Sequence, residues 1–144
     1  MIEEETKARI LDFLKSNKLT VIATVDEEQN KPEAAVIAFA EKKNLELIFG
    51  TLIKSRKYKN LQSNRNVSFV IGWTDEEGTV QYEGVARELA GEEALEHGRI
   101  LADKNENARA FLTKENQRYF LVSPTWIRFT DKSKKPQEVI EINL

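Results

Sequence analysis

The chain has 144 residues, 40% hydrophobic and 32% charged, which suits one soluble domain, residues 1–144, with its own core. It has no cysteine and a single histidine, so disulfides, thiolate catalysis and cysteine- or histidine-cluster metal sites are excluded. Lys+Arg 22 against Asp+Glu 24 leaves a net charge of -2, which lacks the basic footprint of a duplex nucleic-acid binder. Ile2 is followed at once by three glutamates, unlike a signal peptide, and no apolar run is long enough to span a bilayer. The expectation is a cytoplasmic protein with neither nucleic-acid nor membrane partners.

Residues 3 to 16 read as an amphipathic helix: Glu3, Glu4 and Glu5 sit at the end that favours anions, and Ile10, Leu11 and Leu14 recur at helical spacing. Leu19, Val21, Ala23 and Val25 then alternate with Thr20, Ile22 and Thr24, a strand whose second face is semi-polar. A polar turn, Asp26 to Lys31, leads through Pro32 to a second strand, Glu33 to Ala40, and Glu41 to Asn44 links it to a third, Leu45 to Thr51. Three short strands joined by tight polar turns predict an antiparallel meander.

In Thr51-Leu52-Ile53-Lys54-Ser55-Arg56-Lys57-Tyr58-Lys59-Asn60 the pattern becomes helical, with Tyr58 and Leu61 on one face and Ser55 placed to be the N-cap. Arg56 and Lys57 then fall in the first turn, where the helix dipole disfavours cations by a few tenths to about 1 kcal/mol each. A phosphate seated among free N–H groups, the Ser55 hydroxyl, the Arg56 fork and the Lys57 ammonium would reverse that sign. The competing reading has both cations pointing into solvent with their stems on the surface.

Asn64-Arg65-Asn66 breaks the pattern, and Val67, Phe69, Ile71 and Trp73 form the large-residue face of a fourth strand. Asp75 to Gly78 reads as a hairpin turn with Gly78 available for positive φ; the fifth strand runs from about Thr79 to Leu89, with a bulge or close backbone approach at Gly84. Gly91 to Lys104 is helical, and a shorter helical piece near Ala108 to Leu112 joins it as a lid over a barrel end. Tyr119 to Val122 and Ile127 to Phe129 flank Ser123-Pro124, so the last long strand is expected to be interrupted or edged at Pro124. The tail ends on Val139, Ile140, Ile142 and Leu144, an apolar terminus that implies docking, in cis or on a second subunit.

The strand LTVIATVDEE, the strand-loop-helix IFGTLIKSRKYKNLQSNRNVSF, the tryptophan of IGWT and the strand VQYEGVARE together resemble the pyridoxamine 5'-phosphate oxidase-like FMN-binding split-barrel family, in its small, general-stress-protein-like branch. YFLVSPTWIRFTD is similar to the closing strand of that branch. The resemblance implies a mainly β fold with covering helices, a six-stranded antiparallel split β-barrel, assembled as a homodimer with FMN in the clefts between subunits. It implies that Thr51, Ser55, Arg56 and Lys57 hold the FMN phosphate, and that Trp73, Thr79 and Gln81 of the neighbouring subunit lie near the isoalloxazine. A phosphate clamp reads the tail and not the ring, so another flavin or a deazaflavin satisfies the same pattern.

The chain also departs from the family's full oxidases. They place one basic residue in the second strand and another at its end, where this chain has Ala35 and Ala40, and Trp126 and Arg128 do not match their substrate-binding pattern. Pyridoxamine phosphate oxidation is therefore not the expected activity. His97, beside Glu93 and Glu96, reads as a solvated surface histidine and not as a metal or heme ligand. Trp73 closes an apolar strand face, which suits a core or interface role as well as flavin contact. Asp75, Glu76 and Glu77 read as a solvated turn, and Lys132, Lys134 and Lys135 as a short basic run able to steer an anion.

Three readings remain. The first is an FMN-dependent oxidoreductase acting with a small-molecule electron donor or acceptor, and the second a flavin-binding or stress-sensing module without turnover. The third, a structural or nucleic-acid-binding barrel, is disfavoured by the acidic balance.

Overall fold

The computed structural model describes residues 3–144. Its helices are α1 (Glu4–Lys15), α2 (Arg56–Ser63) and α3 (Gly91–Lys104), with a 3-10 turn at Glu106–Phe111. Its strands are β1 (Leu19–Asp26), β2 (Lys31–Ala38), β3 (Ala40–Glu41), β4 (Leu47–Leu52), β5 (Asn66–Thr74), β6 (Gly78–Glu88), β7 (Gln117–Asp131) and β8 (Glu138–Asn143). They form one curled antiparallel sheet in the order β2-β1-β5-β6-β7-β4-β3, with β8 added to β7. This is the expected split barrel with covering helices, built from eight strands and not six.

The two additional strands have local causes. Phe39 turns fully inward and its N–H donates to the Lys18 carbonyl at 3.2 Å, breaking the second strand into β2 and the two-residue β3. The apolar tail docks in cis as β8, with Ile140 and Ile142 against the core. The third strand starts two residues later than expected because Leu45 adopts a φ of 70° in the preceding turn, its carbonyl accepting from the Tyr82 hydroxyl at 2.7 Å.

Pro124 edges the last strand, as expected, but does not interrupt it: β7 runs unbroken past it, pairs there with β6 alone, and takes up the irregularity as a one-residue bulge. Glu83 pairs with Trp126 and Gly84 with Pro124, so Thr125 is the extra residue, and its hydroxyl donates to the Glu83 carbonyl at 3.2 Å. Gly84 meets both expectations made for it, since a Cβ there would lie 2.5 Å from the Ser123 carbonyl oxygen. Gly78 takes the positive φ expected of it, 108°.

The barrel interior is aromatic. Phe49 stacks on Phe120 at 5.1 Å, and Phe69 meets Tyr82 edge-on at 5.5 Å. Ile10 and Leu14 of α1 close one end of this core, while Leu101 of α3 covers a second cluster around Ile48 and Leu121.

In β1 the semi-polar face is the buried one: Thr20 is 0% exposed and Leu19 46%. The threonine hydroxyls are satisfied inside, Thr20 donating to the Val70 carbonyl at 2.9 Å and Thr24 accepting from the Asn60 side chain at 2.9 Å. The register sets Leu19 opposite Ala38, Val21 opposite Val36, Ala23 opposite Ala34, and Val70 beside Val21. The outward face of β2-β1-β5 is thus an apolar surface that no element among the described residues covers. Among the described residues no helix is long and apolar enough to cross a membrane.

Candidate functional site at the start of the second helix

β4 delivers the chain to α2 through a tight turn, and the Ser55 hydroxyl caps that helix, accepting from the Tyr58 N–H at 3.2 Å. Thr51, at the end of β4, lies 2.7 Å from Ser55, hydroxyl to hydroxyl. The structure therefore brings Thr51, Ser55, Arg56 and Lys57 together, with Ser55 in the capping role its position predicts.

The two cations behave differently, and neither simply projects into water. Arg56 is largely exposed, yet its Nη1 donates to Glu33 Oε2 at 3.0 Å. Glu33 is the residue that the sequence reading missed. Its side chain is only 8% exposed, its Oε1 accepts from Asn60 Nδ2 at 2.9 Å, and Lys31 Nζ lies 3.7 Å from Oε2. The signal was present in the register: Glu33 pairs with Thr24, so it shares the inward face of β1 and β2. Asn60, 5% exposed, donates to both Thr24 and Glu33 and so ties α2 to these two strands.

Lys57 is half-buried. Its pKa is held below the ordinary lysine value, first by loss of solvation and second by the neighbouring Arg56 charge. Among the described residues no carboxylate pairs with it. It stands between two clefts. The smaller, about 80 Å³, lies between α2 and the first two strands and is lined by Thr24, Glu33, Ala35 and Arg56. The larger, about 430 Å³, is lined by Gly50, Thr51 and Leu52 of β4 together with Ile37, Leu101 and Phe111. A Cβ on Gly50 would sit 2.3 Å from the Gln117 side-chain nitrogen and force that amide aside.

Trp73, Thr79 and Gln81 are not part of this cluster within one chain. Trp73 lies roughly 23 Å along β5 from Asn66, the strand end nearest α2. It is 60% exposed, which removes its core reading. Trp73 and Thr79 line a separate cleft of about 170 Å³ with Lys132, while Thr79 donates to the Ile71 carbonyl at 3.3 Å. Gln81 points outward from β6, between Val70 and Arg128.

His97 corrects the expectation of a solvated histidine: it is 4% exposed. Its Nδ1–H donates to the Glu93 carbonyl at 2.8 Å, and its Nε2, 3.2 Å from the Lys42 ammonium, accepts. Helix periodicity missed it because the turns before His97 carry exposed glutamates, while the face beneath packs on the sheet.

Trp126 and Arg128 are occupied by β8. Trp126 Nε1 donates to Glu141 at 2.8 Å, and Arg128 lies 3.7 Å from the same carboxylate. Ala35 lines the smaller cleft beside Arg56 and Lys57, whereas Ala40 is buried in β3 away from it. Asp75 is solvated, as its turn predicts, and lies 3.3 Å from Lys132. No group of three or more His, Asp or Glu residues able to hold a metal ion occurs among the described residues.

A curled antiparallel sheet whose fourth strand runs into a serine-capped, cation-started helix defines a split barrel with two basic side chains at that helix entry. Residues 6–143 match the family model described as pyridoxamine 5'-phosphate oxidase, and the chain belongs to that family. No curated protein matches it in sequence. Among solved structures it is similar to General Stress Protein 26 from Bacillus anthracis, with 20% identity over 96% of this chain and 99% of that one and a TM-score of 0.72. It is similar to a heme binding protein from Mycobacterium smegmatis, with 14% identity over 99% of this chain and a TM-score of 0.79, but spans only 59% of that protein. It also resembles the heme storage protein HutZ from Vibrio cholerae, with 18% identity over 81% of this chain and 88% of that one and a TM-score of 0.70. At these identities the likeness shows the fold.

Proposed function

We propose that this chain is an FMN-binding flavoprotein, working as an oxidoreductase with a small-molecule electron donor or acceptor. The observation that carries the proposal is Lys57: a half-buried ammonium without a carboxylate partner among the described residues, beside Arg56 at a helix N-terminus. Arg56 shares Glu33, but Lys57 has no charge partner of its own, and a phosphate supplies one. Thr51, Ser55, Arg56 and Lys57 hold the phosphate, the first two as hydroxyl partners and the last two as charges. The larger cleft, shared by Thr51, Ser55 and Lys57, gives an apolar lining to the rest of the cofactor. The bound flavin supplies the redox chemistry, so the protein's share is orientation and exclusion of water. Another flavin or a deazaflavin with a phosphorylated tail fits the same residues.

The working unit is a homodimer. Its support is the outward face of β2-β1-β5, where Leu19, Val21, Val36 and Val70 present adjoining apolar side chains that no element among the described residues covers. A second copy of the chain covers that face and brings Trp73, Thr79 and Gln81 to the cofactor from the neighbouring subunit. A module that binds flavin without turnover is the second reading, favoured because Trp126 and Arg128 are already engaged by Glu141.

The residues do not fit heme in the same way. The chain has no cysteine, and both ring nitrogens of its single histidine are engaged, one by Glu93 and one by Lys42.

Denaturing the purified protein and weighing the released chromophore tests the cofactor; FMN is expected. Anaerobic reduction with NADH or NADPH, followed by an acceptor screen, separates the enzyme from the module. Absence of flavin after purification, together with no binding of added FMN at micromolar concentration, refutes the proposal.

A further inference from the structure

We propose that Glu33 is a specificity-determining residue of this site: it already holds Arg56 with its own carboxylate, so that an incoming phosphate must compete with it. The inference rests on the reading of Arg56 and Lys57 as phosphate ligands. Three facts carry it. Glu33 is almost fully shielded from water and faces inward, so its charge is felt across the cleft instead of being screened. It lines the smaller cleft together with both Arg56 and Lys57. Asn60 fixes one carboxylate oxygen at 2.9 Å while the other receives Arg56 at 3.0 Å, which holds the acid in place when Arg56 turns away.

The local charge count then sets the ligand. Arg56 and Lys57 contribute two positive charges and Glu33 subtracts one, leaving a single net positive charge at the helix start. A phosphate monoester such as that of FMN is therefore held less tightly than the two cations alone would hold it. Lys31, an ion-pair partner 3.7 Å from Glu33 and partly exposed, offsets the acid in part.

Glu33→Gln keeps the side-chain length and the oxygen that accepts from Asn60, but removes the charge. It should tighten FMN by roughly ten- to a hundred-fold, the size of a unit charge acting over a few ångströms in a partly buried site. Riboflavin binding should not change. Glu33→Asp, which keeps the charge, should leave FMN affinity near that of the wild type. FMN and riboflavin are titrated into wild type and both variants by flavin fluorescence, with circular dichroism as the check on folding. Equal FMN affinity in wild type and Glu33→Gln, or equal tightening by Gln and Asp, overturns the role of Glu33 and leaves the FMN reading standing. Failure of all three folded proteins to bind FMN overturns both.

Discussion

Replacing Lys57 by methionine tests the proposed site in two opposite directions at once. Methionine keeps the length and apolar volume of the lysine stem, so the packing between α2 and the strands should persist. In the ligand-free protein the ammonium is desolvated, repelled by Arg56 and set at the positive end of α2. Removing it should therefore stabilise the fold by about 0.5–1 kcal/mol, or roughly 1–4 °C in Tm for a domain of this size. FMN should lose about 1.5–3 kcal/mol, roughly ten- to more than a hundred-fold in Kd, while riboflavin, without a phosphate, keeps its affinity. The pH dependence has a definite sign. The folded-state pKa of Lys57 lies below its unfolded value, so between the two the unfolded chain binds more protons and wild-type stability rises with pH; methionine abolishes that rise. FMN affinity needs the protonated amine and should fall as pH climbs through the lowered pKa of the free protein. Differential scanning calorimetry gives the stability and fluorescence titration of both flavins gives the affinities. A lower Tm combined with equal losses for FMN and riboflavin would refute the argument, because it would make Lys57 a packing residue.

Val36→Glu sets a charge in the middle of the outward β2-β1-β5 face without touching the inward core, so sedimentation should show a monomer at micromolar concentration where the wild type is expected to be a dimer. Gly84→Ala should cost about 1–3 kcal/mol by overpacking, read from urea unfolding, because the new Cβ would meet the Ser123 carbonyl oxygen and not a side-chain end that swings away. His97→Gln should leave hemin difference spectra unchanged while lowering Tm; a Soret shift lost only in this variant would show that His97 leaves Glu93 and Lys42 to bind iron.

Much of the site was legible along the chain because its parts are local. The N-cap, the misplaced cations and the preceding hydroxyl lie within Thr51 to Lys57, and the capping bond to Tyr58 closes inside a single helical turn. The turn glycine at 78, the bulge opposite Gly84 and the helix–strand order were legible for the same reason: each depends on a few consecutive residues. Glu33 was missed because its partner is 23 residues away and joins it only when β2 folds back on β1. His97 was misread because surface polarity on one helix face says little about the face that packs on a sheet.

By itself, the sequence determined the element order, the mainly β class, the family and the cluster of hydroxyls and cations at the start of α2, all carried by short-range pattern. Tertiary structure decided which face of β1 is inside, since alternation defines two faces without saying which one the core accepts. It also decided that Arg56 meets a carboxylate while Lys57 does not, and that Trp73 stands far from both. Those outcomes depend on sheet register and on which strands become neighbours, and long-range pairing is set by how the whole barrel closes.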